Sequence, residues 1–466
     1  MSNASQRAGL LTVVLTGATF MAGLDLFIVN VAFDQIGRDF AGPSGVPDLG
    51  SLSWVLSAYA VVYAALLVPL GRLTDRYGRK PGFVAGLVVF TLASLACGLA
   101  PGVGFLVAAR IVQAVGAAAM TPTSLGLLLA ALPPERRAAG ARLWALTGAI
   151  AAALGPAAGG GLVQLSWHWA FWINVPVGSL LAIVAVRVVP DVRHNEGAPR
   201  PDLAGAAVLA AAIGALVLGL VQADEWGWRS VGTIGAFVAA AVGLAGFALQ
   251  SARHPSPLIE PALLRVRSFA WANVTTLVFN TGFGASLLLG ILWMQQVWGF
   301  SALQTGLAIA LGPLAVPPTA ILVARHLPRV APSRLIAMGS ALFAAGAIAQ
   351  MSALSVQPAY WSAFLPAWVV GGIGVGLAFP NLVAAATATL PPEHGATGSG
   401  IVSMARQVGI ALGVSVLVAI LGDGAVDTGA GRAAWLFIAG CSLLAGVTAL
   451  VMATARERAP APTVAV

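Results

Sequence analysis

The sequence predicts an all-α integral membrane protein of fourteen transmembrane helices: two six-helix bundles with two extra helices between them. Three observations carry this: a near absence of charge, a series of apolar runs long enough to cross a bilayer, and an internal repeat relating the early spans to the late ones. Of 466 residues, 59% are hydrophobic and only 9% charged, against about 25% charged in a soluble chain. A surface so poor in charge faces lipid, which excludes a soluble enzyme, and the apolar content excludes a disordered chain. Cys97 and Cys441 lie in separate apolar stretches and read as small core residues.

A hydrocarbon core of about 30 Å needs roughly 20 apolar residues per helix. Cutting the chain at charged, Pro-rich or Gly-rich breaks gives runs over 10–33, 52–71, 81–100, 103–131, 140–163, 169–189, 203–222, 230–250, 269–297, 302–324, 334–354, 361–388, 397–421 and 433–454. The first is too long for a signal-peptide core and contains Asp25, so it reads as span 1. The run over 103–131 is long enough to be argued as two. An even number of spans puts both termini on one side, and the arginines choose it. Arg72, Arg76, Arg79, Lys80, Arg136, Arg137, Arg193, Arg200, Arg253, Arg265, Arg267, Arg325, Arg329, Arg334, Arg456 and Arg458 fall on the terminal side, against Arg38, Arg229 and Arg432 opposite. The positive-inside rule then makes both termini cytoplasmic and absorbs the net charge of +8 without nucleic acid. Trp167, Trp169, Trp226, Trp228, Trp298, Trp361 and Trp435 lie in the opposite connections, as an aromatic belt requires.

Residues 110–140 laid without a gap on 368–398 reveal a repeat. Leu132, Pro133, Pro134, Glu135, Ala138 and Gly140 fall on Leu390, Pro391, Pro392, Glu393, Ala396 and Gly398, Gly116 on Gly374, and Pro122 on Pro380. The same offset sets Gly155 on Gly413, so spans 4 and 5 match spans 12 and 13 in the same orientation. Such a parallel repeat fits a transporter of two six-span halves, here 1–190 and 269–466. Spans 7 and 8, with their linkers over 191–268, fall outside the repeat as an inserted hairpin.

Between spans 2 and 3 the chain reads Gly71-Arg72-Leu73-Thr74-Asp75-Arg76-Tyr77-Gly78-Arg79-Lys80, glycines for tight turns around alternating charges. At this position the string resembles the signature loop of the major facilitator superfamily. Leu24-Asp25-Leu26-Phe27-Ile28-Val29-Asn30-Val31-Ala32, Arg110-Ile111-Val112-Gln113-Ala114-Val115-Gly116, Gly155-Pro156-Ala157-Ala158-Gly159-Gly160, the segment Trp167 to Gly178 and Ala405-Arg406-Gln407 resemble motifs of its fourteen-span drug:proton antiporter branch. Asp34 stands where that branch usually has proline, and Arg325 to Arg334 is a degenerate second signature loop without its acid. The resemblance implies a major facilitator fold. It further implies that Gly71, Asp75, Arg76, Gly78 and Arg79 switch partners between access states, Asp75 meeting the start of span 13 in one of them. It also implies that Gly155, Pro156 and Gly159 seal and bend the central contact.

Depth supplies a separate argument. Asp25 lies about 12 Å inside the outer end of span 1, and Arg110 about 10 Å inside that of span 4, at 1.5 Å per residue. An ionised side chain near the bilayer centre costs about 2.5–3.5 kcal/mol and is normally paired or functional. Of sixteen acids, Asp25 alone lies deep in a span, so Asp25 with Arg110 is the expected proton-coupling pair. The alternative is a static pair holding two helices. Burial favours a neutral carboxyl and a nearby guanidinium an ionised one, so a change of either between access states would move a proton.

Asn30, Tyr59, Tyr63, Gln113, Met120, Asn273, Asn280, Phe283, Trp293, Gln296, Met404 and Arg406 are candidates to line a midplane cavity. Aromatic faces, thioethers and amides suit planar apolar compounds; helix packing is the competing reading for each. Arg406, near the middle of span 13, either serves the C-terminal half or bonds to carbonyls. The expectation is a monomeric, proton-coupled exporter of small hydrophobic or cationic compounds in a bacterial plasma membrane. The arginine-dominated basic set points to a bacterial gene. An exporter dedicated to one metabolite, antibiotic or lipid is the rival, and a polytopic enzyme, a channel or a receptor is less favoured. No metal or cofactor is expected, and no phosphate-binding loop of the GxxxxGK[ST] type points to ATP.

Overall fold

The computed structural model describes residues 3–41, 48–190, 201–327, 329–352, 354–387, 390, 395–422 and 426–457. Among them the regular elements are all helical: α1 Asn3–Asp39, α2 Leu49–Tyr77, α3 Arg79–Gly98, α4 Val103–Ala131, α5 Pro134–Leu165, α6 Trp169–Val188, α7 Leu203–Val221, α8 Val231–Arg253, α9 Arg267–Val297, α10 Ala302–His326, α11 Pro332–Ser352, α12 Tyr360–Ala386, α13 Gly395–Leu421 and α14 Thr428–Glu457. Thirteen are long and apolar enough to cross a membrane, and α5 holds a shorter apolar stretch, Ile150–Leu165. The run over 103–131 is one helix.

Local chemistry accounts for several boundaries. Asp48 accepts the Ser51 N–H at 3.0 Å to start α2, Asp202 accepts that of Gly205 at 2.7 Å to start α7, and Ser301 with Gln304 forms a capping box at α10; each satisfies orphan N–H groups of a first turn. α10 is interrupted after Leu314, where Pro317 and Pro318 supply no backbone N–H. Between α2 and α3 the chain reverses at Gly78, whose φ of 118° favours glycine and whose N–H reaches the Thr74 carbonyl at 3.0 Å. π-turns end α9 (Trp293–Val297) and begin α12 (Tyr360–Phe364).

The repeat has a packing counterpart. A methyl group on Gly116 would overlap Gly86 and Phe90 of α3, and one on Gly374 would overlap Gly339 and Phe343 of α11. Gly140 closes on Leu132 as Gly398 closes on Leu390. Pro391, Pro392 and Glu393 of the second copy lie outside the described residues, as do Arg193, Arg200 and Arg458.

The chain's alternation puts Arg72, Arg76, Arg79, Lys80, Arg253, Arg265, Arg267 and Arg325 at one end of the bundle, here the basic end. At the other, the tryptophan end, Trp169, Trp226, Trp228 and Trp361 are exposed. The belt expectation needs correction for Trp167, Trp298 and Trp435, which are buried. Trp167 Nε1 donates to Asp39 and Trp298 Nε1 to the Ser355 carbonyl, at 2.6 and 2.9 Å, so both act as internal donors instead of interface anchors.

The first six helices meet the last six at the tryptophan end. There α1 touches α9, and Gly160 of α5 closes on Ala302 and Leu303 of α10. Along one side α2 packs on α13, with α7 against both. Toward the basic end the second segment of α10 has no buried residue, and α4 and α12 make no extended contact among the described residues. A cleft between the two sets therefore widens toward the basic end on the α10 side, while on the other side Gly400 of α13 lies against Val68 of α2.

Candidate functional site

The deepest polar assembly is built from five helices. Asp25 of α1 and Arg110 of α4 are both fully buried. Asp25 Oδ2 accepts from Arg110 Nη1 at 2.5 Å, while Oδ1 accepts from Gln113 Nε2 and from Asn174 Nδ2 of α6, each at 2.9 Å. Arg110 also donates through Nε to the Val55 carbonyl of α2 at 3.1 Å and through Nη1 to Gln113 Oε1 at 2.6 Å. Ser94 of α3 accepts from Gln113 at 2.7 Å. A buried ion pair is tolerable when such partners satisfy what the pair leaves over. Every hydrogen-bond partner of the carboxylate is a donor, and Oδ1, with two of them, is the more fully engaged oxygen.

One face of the guanidinium is aromatic. Its carbon lies 4.0 Å from the Tyr59 ring centroid and 5.8 Å from that of Phe171. Tyr59 stacks on Tyr63, centroids 5.9 Å apart and planes at 9°. Arg110 Nη2 and the Tyr59 hydroxyl are buried without a hydrogen-bond partner among the described residues. α2 continues toward α13, where Val68 lies against Gly400 and, farther along α13, Arg406 is exposed.

The remaining cavity candidates do not gather at one place. Gln113 belongs to the Asp25 assembly. The amides of Asn30, Asn273 and Asn280 donate to Leu26, Phe269 and Thr276 at 2.7, 2.9 and 2.7 Å, each four residues back in its own helix. Met120, Met404 and Trp293 are buried, Met120 in the core shared by α1 to α4 and α6. Phe283 is half-buried, its ring 5.1 Å from that of Phe379. Gln296 sits at the tryptophan end and donates to Asp34 at 3.1 Å, while Gln295 donates to the Val31 carbonyl at 3.2 Å. Both glutamines lie in the π-turn that ends α9, and both reach α1.

At the basic end Asp75 pairs with Arg79 at 2.6 Å, and Arg79 donates onward to the Gly126 carbonyl at 3.1 Å. The Thr74 and Thr123 hydroxyls share a hydrogen bond of 2.9 Å, Gly71 lies against Pro122, and Arg76 sits 5.5 Å from the Tyr77 ring. Residues 391–394, before α13, lie outside the description, and with them part of the partner expected for Asp75. Arg72 reaches the linker ahead of α9: Ser256 Oγ at 3.1 Å, the Pro257 carbonyl at 2.9 Å and Glu260 at 3.0 Å. Gly155 and Gly159 seat α5 on Phe27 and Ile28 of α1, and the Pro156 carbonyl faces Gly306 of α10.

Sequence reasoning missed Ser94, Asn174 and the Gln295 contact. Asn174 carried a signal, an amide in an apolar helix, but nothing in the sequence gave its direction.

A family model described as Major Facilitator Superfamily matches residues 15–207, 202–414 and 274–465. The multidrug resistance protein Stp of Mycobacterium tuberculosis (strain CDC 1551 / Oshkosh) is 34% identical over 421 residues, 89% of this chain and 76% of that protein. The puromycin resistance protein pur8 of Streptomyces alboniger is 33% identical over 445 residues, 94% of this chain and 85% of that protein. The crystal structure of the POT family transporter PepTSo superposes with a TM-score of 0.71 at 13% identity, covering 96% of this chain and 99% of that one, a likeness of fold. The family model spans almost the whole chain and the relatives match most of it, so the chain belongs to the major facilitator superfamily.

Proposed function

We propose that this chain is a proton-coupled efflux transporter that exports small hydrophobic compounds by alternating access, with Asp25 as proton carrier. The observation that carries the reading is the buried Asp25–Arg110 assembly, lying below the contacts that join the two halves at the tryptophan end. The basic end is the cytoplasmic one, and fourteen spans place both termini there, in a bacterial plasma membrane. Residues 1–190 and 269–466 form the rocking halves, and the hairpin within 191–268 braces α2 and α13, against which α7 packs. In the present state cargo enters from the cytoplasm and Asp25 stays engaged by its three donors. When the tryptophan end opens, a proton from outside displaces a donor and cargo leaves.

The relatives' names support export of drug-like molecules: multidrug resistance, puromycin resistance and methylenomycin A resistance. A dedicated exporter is the second reading, favoured by relatives named for single compounds, a probable actinorhodin transporter and a cephamycin export protein. Substrate-driven proton movement in proteoliposomes separates the two. Several unrelated compounds moving protons, with loss in Asp25→Asn, supports multidrug antiport. Silence across the panel from folded protein supports the dedicated exporter, and full coupling in Asp25→Asn removes Asp25 from the mechanism.

A further inference from the structure

We infer that Arg406 is an anion-recognition point in the central cleft, and that the exported compounds are amphiphiles bearing a carboxylate or similar anionic group. The inference rests on the export reading and adds the chemical class of its cargo. α13 is surrounded by α2, α7, α9, α12 and α14. From Gly398 to Leu421 every residue is buried or half-buried except Arg406. Helices that face lipid expose side chains along their length, as α8 does at Val231, Ile234, Val238 and Val242. A single exposed residue on an enclosed helix opens onto an internal space. Arg406 stands eleven residues from Gly395, about 16 Å into the span at 1.5 Å per residue, level with Tyr63 of α2.

The two deep arginines contrast. Arg110 has Asp25, a carbonyl and an amide, whereas Arg406 has no hydrogen bond or ion pair among the described residues. A guanidinium does not lose its charge, and one held this deep is normally paired or functional. Asp25 already serves three donors, and no other acid lies deep in a described span. The cleft therefore presents an unanswered positive charge, which repels a cation and takes a carboxylate through a bidentate fork. Gly409, three residues on, packs against Leu277 and Asn280 of α9, so the half-buried Phe283 and Phe379 rings lie farther toward the tryptophan end. They offer an apolar face to the body of a molecule whose acid rests on Arg406.

The test is equilibrium binding of naphthalene-2-carboxylate, naphthalene-2-carboxamide and naphthalen-2-ylmethylammonium to the full chain in lipid nanodiscs, with empty discs subtracted. The carboxylate is expected to bind about ten- to a hundredfold tighter than the carboxamide, the range for a hydrogen bond to a charged group, and the ammonium weakest. Arg406→Gln should bind acid and amide alike, while Arg406→Lys keeps part of the preference. A parent protein that binds the acid no better than the amide overturns the inference without any variant, as does a preference that survives in Arg406→Gln. Binding needs no turnover, so the two readings fail separately. An Arg406-dependent acid preference without proton movement sinks the export reading alone, and proton movement with all three ligands bound alike sinks the anion site alone.

Discussion

Replacing Asp25 by asparagine removes one charge from a pair in which neither member touches solvent. Arg110 stays ionised, and breaking a buried pair from one side costs about 3–5 kcal/mol. Geometry adds to this: the carboxylate accepts on both oxygens, whereas an asparagine must aim its NH2 either at Arg110 or at Gln113 and Asn174, all donors. Arg110→Gln combined with Asp25→Asn removes the stranded charge, and should recover on the order of 2 kcal/mol relative to the sum of the single changes, within the range for contacting residues. Equilibrium unfolding of the four proteins in mixed micelles measures the cycle. An Asp25→Asn protein within about 1 kcal/mol of the parent, or a double variant whose losses simply add, would refute the claim that this pair is ionised and mutually dependent.

Three further outcomes follow from the contacts. Gly306→Ala drives a methyl into the Pro156 carbonyl; an overpacking cost of about 1–3 kcal/mol should shift the protein toward opening at the tryptophan end, read as a longer spin-label distance between α5 and α10. Gln296→Leu removes the hydrogen bond to Asp34, and the same measurement between α1 and α9 should broaden toward the open distance, with an unchanged distribution counting against a latch. Tyr59→Phe, which loses only a hydroxyl without a partner among the described residues, should keep stability near that of the parent. Tyr59→Leu loses the ring under Arg110, worth about 2 kcal/mol when desolvated, and equal stability of the two variants would exclude that role.

The spans were legible because lipid demands an uninterrupted apolar run, and Asp25 and Arg110 because a charge placed there is too costly to be incidental. Their contact with each other was not forced by the sequence: depth could be counted along each helix, but helix rotation could not. The same gap explains the neutral candidates. Gln113 and Asn280 look alike as amides in apolar helices, yet one holds a carboxylate and the other its own backbone. Tryptophans misled in part, since position at a span end fits an interface anchor and the internal donors Trp167 and Trp298 equally. The π-turns carried no punctuation at all, with neither glycine nor proline within Trp293–Val297 or Tyr360–Phe364. Asp34 departs from the family pattern in the sequence, and only the structure sets Gln296 beside it.

On the export reading, α1 carries both the proton site and the gate. Asp25 and Asp34 are nine residues apart on one helix, about 13 Å by its rise, with neither glycine nor proline between them to absorb a bend. Phe27 and Ile28, on the intervening turns, meet Gly155 and Gly159 of α5, whose next residues face α10. A proton that displaces Arg110, Gln113 or Asn174 loosens α1 from α4 or α6, and the same rigid body ends at Gln295 and Gln296. Loosening the carboxylate and releasing the latch are then two readings of a single displacement, so coupling needs no change within α1 itself. What it needs is that the donors around Asp25 and the glycine contacts along α5 bind α1 in the closed state and release it together.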